Sequence, residues 1–196
     1  VAPLRSPLTP DVRPSPPEVI AHMRFLSHPE CVAWCEVHGF PLRGLPGGQL
    51  PESRPNGFQL TPYYPPADSG QKVGLAGLLW WLLDPQTDVL VWLGAWDVWP
   101  SSGHMPLFTR LRQALGESRP VGEAPGLLVS PSEADDGISV LLLALLFVWD
   151  CHIISGAGTD AVFLSHDEYG WFGTRDHARL TRVVETLAAY AHPSAA

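Results

Sequence analysis

Basic residues are scarce in this chain and unevenly spread. Lys and Arg total 12 against 20 Asp and Glu, a formal net charge of −8 at pH 7, and Lys72 is the single lysine. Binding nucleic acid through charge alone requires Lys and Arg to displace counterions from phosphates, so that class of partner is disfavoured. Between Arg119 and Arg175 there is no Lys or Arg at all, yet Glu123, Glu133, Asp135, Asp136, Asp150, Asp160, Asp167 and Glu168 all lie there. Either arginines from elsewhere fold back onto these acids, or the acids form a surface that steers a basic partner.

Cysteine is also sparse. Cys31, Cys35 and Cys151 are the only three, and an odd count cannot complete a disulfide framework, which fits a reducing compartment; the expected location is cytoplasmic. Long apolar runs are missing. The longest, Ile138 to Trp149 interrupted by Ser139, is about a dozen residues against the roughly 20 that cross a bilayer, so no membrane association is expected. The leading VAPLRSPLTPDVRPSPP has no continuous apolar segment of the signal-peptide kind. Phosphate-loop, dinucleotide, HExxH, GxSxG and EF-hand patterns are absent, and the glycines of ISGAGTD precede a strand rather than a helix. No cofactor and no resident metal are expected.

What is present argues for a folded core. Hydrophobic residues make up 45% and charged ones 16%, with eight tryptophans, a composition that buries a large aromatic area. Residues 1–17, rich in proline, read as an extended arm, and 18–196 as a single domain. A helix is expected over 18–26. In SHPE, Ser27 and Glu30 form a capping box for a second helix reaching residue 37 or 38. Residues 40–72 are dense in proline and glycine, with strand pieces at 40–42 and 58–60, and suggest a lid or binding loop. VGLAGLLWWLL (73–83) predicts a buried helix. DVLVWLGAWDVW (88–99), apolar on both alternating faces, predicts a central strand.

A helix over 104–116 follows, and SPSEADD announces another over 131–149, with Ser130 as cap and Glu133 completing its box. CHIIS and AVFLS predict a hairpin across 151–165, and a terminal amphipathic helix begins near Asp176. Five to six helices packed on a mixed sheet place the fold in α/β or α+β.

The stretch FLSHDEYGWF (163–172) holds the densest chemistry. Ser165, His166 and Asp167 match a triad in composition, but neighbours on a strand point to opposite faces, so adjacent residues do not converge. If the strand continues, His166 and Glu168 share one face and Asp167 takes the other, a pair suited to acid–base or metal chemistry. Asp97, near the end of the central strand, is a further catalytic candidate, with His152 as an additional partner. In HPECVAWCEVH, His28, Cys31, Cys35 and His38 align on one helical face, but the outer pair stand roughly 15 Å apart, so the stripe reads as core rather than one zinc site.

The leading expectation is a small acidic interaction protein, an inhibitor or immunity-like factor that covers a basic surface of a partner. Its contacts would be Glu133, Asp135, Asp136, Asp160, Asp167, Glu168, Tyr169 and Trp171. The alternative is a hydrolase or metal-dependent enzyme using His166, Asp167 and Glu168 with Asp97 or His152. A third idea is a homo-oligomer packed through its tryptophans.

Overall fold

The computed structural model describes residues 23–45, 48–96 and 105–192. Seven strands form one sheet in the order β1-β6-β5-β7-β8-β9-β4. They are β1 (Arg24–Leu26), β4 (Gln59–Tyr63), β5 (Val89–Ala95), β6 (Gly126–Val129), β7 (Asp150–Ser155), β8 (Asp160–Leu164) and β9 (Gly170–Thr174). Every pairing in it is antiparallel, so the expected sheet with packed helices takes the α+β form. A separate ribbon joins β2 (Leu42–Leu45) to β3 (Gly48–Pro51). The helices are α1 (His28–Val37), α2 (Ser69–Leu82), α3 (Met105–Ala114), α4 (Ala134–Phe147) and α5 (His177–Leu187).

The central strand explains the layering. On β5, Val89, Val91 and Leu93 enter one core with Leu79 and Trp80 of α2 and Leu141 of α4, while Leu90 and Trp92 enter a second core with Cys31 and Cys35 of α1. A strand covered on both sides loses the apolar–polar alternation of a half-exposed one, which is why β5 is apolar from Val89 to Ala95. Its neighbour β7 repeats the pattern: Cys151 and Ile153 join the first core and Ile154 the second. Each fully buried aliphatic side chain in these layers contributes about 1.5–3 kcal/mol.

Local signals set the helix ends. Ser27 and Glu30 form the expected capping box of α1. The Ser130–Glu133 box is also formed, but residues 131–133 make a 3-10 turn before α4 proper. Val148 then ends α4 at φ 56, a left-handed conformation unusual for a β-branched residue. It is held there by the burial of Trp149, whose backbone N–H reaches the Ala144 carbonyl at 3.0 Å. Asp68 caps α2 through the Gln71 N–H, so this helix starts ahead of residue 73. At Gly137 a Cβ would meet the Trp80 ring at 2.2 Å, so this glycine allows α2 and α4 to approach.

Two expectations change. The helix over 18–26 is not formed at its end: Arg24–Leu26 is the edge strand β1, paired with β6, and residues 18–22 lie outside the described chain. Phe25 enters one core and Leu26 the other, a two-residue period that tertiary pairing imposes over local propensity. Strand β6 itself had no counterpart in the sequence reading. The region 40–72 is not one long loop; it supplies the β2–β3 ribbon, edge strand β4 and the first turn of α2. The arm over 1–17 lies outside the described residues.

Candidate functional site

The sequence FLSHDEYGWF closes the β8–β9 hairpin. Leu164 pairs with Gly170, the Ser165 N–H donates to the Tyr169 carbonyl at 2.8 Å, and the Glu168 N–H donates to the Ser165 carbonyl at 3.1 Å. Glu168 occupies the left-handed region at φ 59, the place a glycine usually fills in a short bulged hairpin loop. The strand therefore stops before His166, and the period-two expectation that His166 and Glu168 share a face does not apply. Beneath the hairpin, a Cβ on Gly170 would meet the Tyr63 ring at 2.4 Å, and the Tyr63 hydroxyl donates to the Phe163 carbonyl at 3.1 Å.

The partner of His166 is Asp150, the first residue of β7. Asp150 Oδ1 accepts from the His166 backbone N–H at 2.7 Å and lies 2.8 Å from Nδ1. That contact fixes the ring with Nε2 turned toward Asp167 Oδ1, 3.6 Å away. The hydrogen bond to Asp150 raises the His166 pKa above its ordinary value; desolvation opposes it, and the Asp150 and Asp167 charges add lesser upward contributions. Ser165 is buried, and its hydroxyl accepts from the Asp167 N–H at 3.2 Å. It is a turn-forming group rather than an attacking one. Asp167, Glu168 and Tyr169 project outward.

Asp150 stands among the acids of the arginine-free stretch, but its pairing with His166 is not among the expectations from sequence, although a signal for it exists. Hairpin pairing sets Cys151 against Leu164, so the residue before Cys151 must stand beside the residues after Leu164.

The other candidates separate. Asp160 is 1% exposed and is held by Arg179; Trp171 is 4% exposed. Burial removes both from any contact surface. Glu133 is engaged by the Ser130 N–H and hydroxyl. Asp135 and Asp136 are exposed in the first turn of α4, where they complement the positive end of the helix. That turn follows Val129, which pairs with Val89, whereas the hairpin tip follows Leu164, paired through Cys151 to Leu93. The two exposed acidic groups thus occupy opposite ends of the sheet and do not merge. Asp97 lies outside the described residues.

His152 faces the second core. It stands opposite Trp92 on β5 and packs on the Phe163 ring at 4.7 Å, with its Nε2 unpartnered. Desolvation, with a smaller contribution from the Arg43 charge, pulls its pKa down to about 3. Cys31 and Cys35 are fully buried and their thiol pKa values are raised by desolvation. His38 stacks on Trp34 at 3.9 Å, and His28 meets Trp92 edge-on at 5.2 Å; the stripe is core with polar ends. Among the described residues, no three His, Cys, Asp or Glu side chains converge to hold a metal ion, and no helix is long and apolar enough to cross a membrane.

Comparison with known proteins gives no match to a family model, a curated protein or a solved structure.

Proposed function

We propose that this chain is a cytoplasmic protein-binding factor of the inhibitor or immunity-like kind, and that it engages a basic surface of a protein partner through Asp167, Glu168 and Tyr169. One observation supports this reading most: the hairpin tip is rigidly built while its side chains face solvent. Asp150 ties down His166, Ser165 ties down Asp167, and the backbone closes the loop. Preorganised groups lose little conformational entropy on binding, and an aromatic ring beside two carboxylates suits a contact with Arg or Lys. Buried Asp160 and Trp171 drop out of the contact set, and Asp135 and Asp136 are too distant from the tip to share one small interface.

The test compares affinity capture from host extract by the wild-type chain and by a variant carrying Asp167→Asn, Glu168→Gln and Tyr169→Ala. The reading expects a basic partner recovered by the wild type, weakened by added salt and lost with the variant. Identical capture profiles for both proteins overturn it.

A second reading has its own support. An Asp that fixes His Nδ1 and leaves Nε2 toward an open face is the arrangement that orients a general acid or base. It makes His166 the acid–base group of a hydrolase, with Asp167 and Glu168 beside it. Turnover of a panel of activated esters and phosphate esters that disappears in His166→Gln would favour this reading over the first.

A further inference from the structure

Helix α2 carries apolar side chains all round, a pattern that belongs to a helix enclosed on every side. Its inner side is enclosed: Leu75, Ala76, Leu79, Trp80 and Leu82 are buried. Its outer side is not. Val73 is 54% and Trp81 61% exposed, and among the described tryptophans Trp81 alone is exposed. Lys72, the one charged residue of this helix, turns to the Leu145 carbonyl of α4 at 3.1 Å. The outer side therefore presents no charge, where a surface helix normally carries several.

Beside Trp81 the surface is notched. Val73, Gly74, Gly77 and Trp81 fall within about 100° of helical arc and line a hollow of about 380 Å³ that α5 borders with Arg182 and Thr186. A Cβ on Gly74 or Gly77 would meet no described atom within 4 Å. The Trp81 ring thus does not fold back over them, and no contact inside the chain requires glycine there, although glycine is unfavourable in a helix interior. Gly137 of α4 shows what such a residue can do: the Trp80 ring lies on it, and the two helices approach. Trp81 and the Gly74–Gly77 notch are the same two components, ring and bare backbone, left apart on one face.

A face that holds both halves of such a contact is complementary to itself about a two-fold axis. With two α2 helices crossed antiparallel and the axis beside Leu78, Trp81 of each copy stands level with the notch of the other, and both rings seat at once. Charge favours the same occupant. Arg182, the one charged residue bordering the hollow, makes no ion pair among the described residues. It suits a second copy of a chain with net charge −8 rather than the basic partner proposed for the hairpin tip. We propose that the outer face of α2 is a homodimer contact in which Trp81 of each copy packs into the Gly74–Gly77 notch of the other. One helix crossing with a border from α5 is at the small end of stable interfaces, so the dimer forms at concentrations of about 10–100 μM. It uses no residue of the hairpin tip, so either reading can fail alone.

The test is sedimentation velocity of the full chain from about 1 to 300 μM, with thermal melts at the lowest concentration, where the monomer prevails. The wild type should pass from monomer to dimer, and Trp81→Ala should associate at least about tenfold more weakly. Gly74→Gln with Gly77→Gln fills the notch with better helix formers. This double variant should also associate at least about tenfold more weakly while melting no lower than the wild type, a combination that misfolding does not produce. Added salt screens the repulsion between two like-charged copies and should leave the dimer intact or strengthen it, the reverse of its effect on capture at the tip. The tip variant should dimerise at least as well as the wild type. The proposal is overturned if the wild type stays monomeric to about 300 μM, even where Trp81→Ala abolishes capture of a host protein, because the occupant is then foreign. It also falls if Trp81→Ala and the double glycine variant dimerise as well as the wild type, or if added salt dissociates the dimer.

Discussion

His152 and His166 lie at the two extremes of environment this sheet offers. His152, in mid-strand, is sealed against Trp92 and Phe163, and desolvation drives its pKa down to about 3. His166, on the hairpin tip, leans on Asp150, and its pKa moves up. The same contrast separates the carboxylates: Asp160 is buried against Arg179, while Asp150 is partly exposed beside His166. Interior polar groups are therefore enclosed and rim groups left accessible to solvent, although both come from one arginine-free stretch.

The sharpest way to break this comparison is to remove a carboxylate from each side. Asp160→Ala leaves Arg179 without its buried partner and should cost about 3–5 kcal/mol in urea unfolding. A loss below about 1 kcal/mol would mean that the interior pair is no more structural than an exposed one.

Next in size is the response to acid. The folded pKa of His152 lies below its unfolded value, so the unfolded chain takes up this proton first as pH falls below about 6.5. The stability it allows is present above that pH and is lost progressively toward about 3. Between about pH 7 and 4.5 this group alone should remove on the order of 2–3 kcal/mol. Denaturation curves for His152→Phe should lack that component.

His166 should behave in the opposite sense. Its folded pKa is raised, so its contribution is complete below the unfolded value of about 6.5 and disappears as pH rises through the folded one. With a side chain 35% exposed, solvent screening keeps this contribution below about 1 kcal/mol. An NMR titration of the imidazole in Asp150→Asn should show the His166 pKa falling back toward the ordinary range.

The smallest effect separates display from stability. Glu168→Gly relieves a left-handed φ of 59 and should raise the melting temperature slightly, by up to about 1 kcal/mol in stability. The same change removes one tip carboxylate and should weaken partner capture. If capture is unaffected, Glu168 is not part of the contact.

Much of the fold was legible where local chemistry is strong. The capping boxes at Ser27 and Ser130, the doubly apolar β5 and the β7–β8 hairpin were all visible as patterns of spacing. Strands β1 and β6 were not, because three or four residues carry too little periodicity to declare a strand; their pairing with each other and with β5 defines them. At the candidate site the cluster was legible but its geometry was not. A shared face for His166 and Glu168 required the strand to continue, whereas the turn at Ser165 leaves Asp150 as the group beside His166.

The sequence by itself determined the composition of the interior and the scarcity of basic charge, since burial patterns and charge counts are properties of the chain. Only the tertiary structure decided which acids remain available. Arg179 of α5 folds back to hold Asp160, β7 carries Asp150 to His166, and sheet direction sends Asp135 and Asp136 to the end opposite Asp167 and Glu168. These are contacts between residues distant in sequence or set by strand register, which composition and charge counts alone do not give.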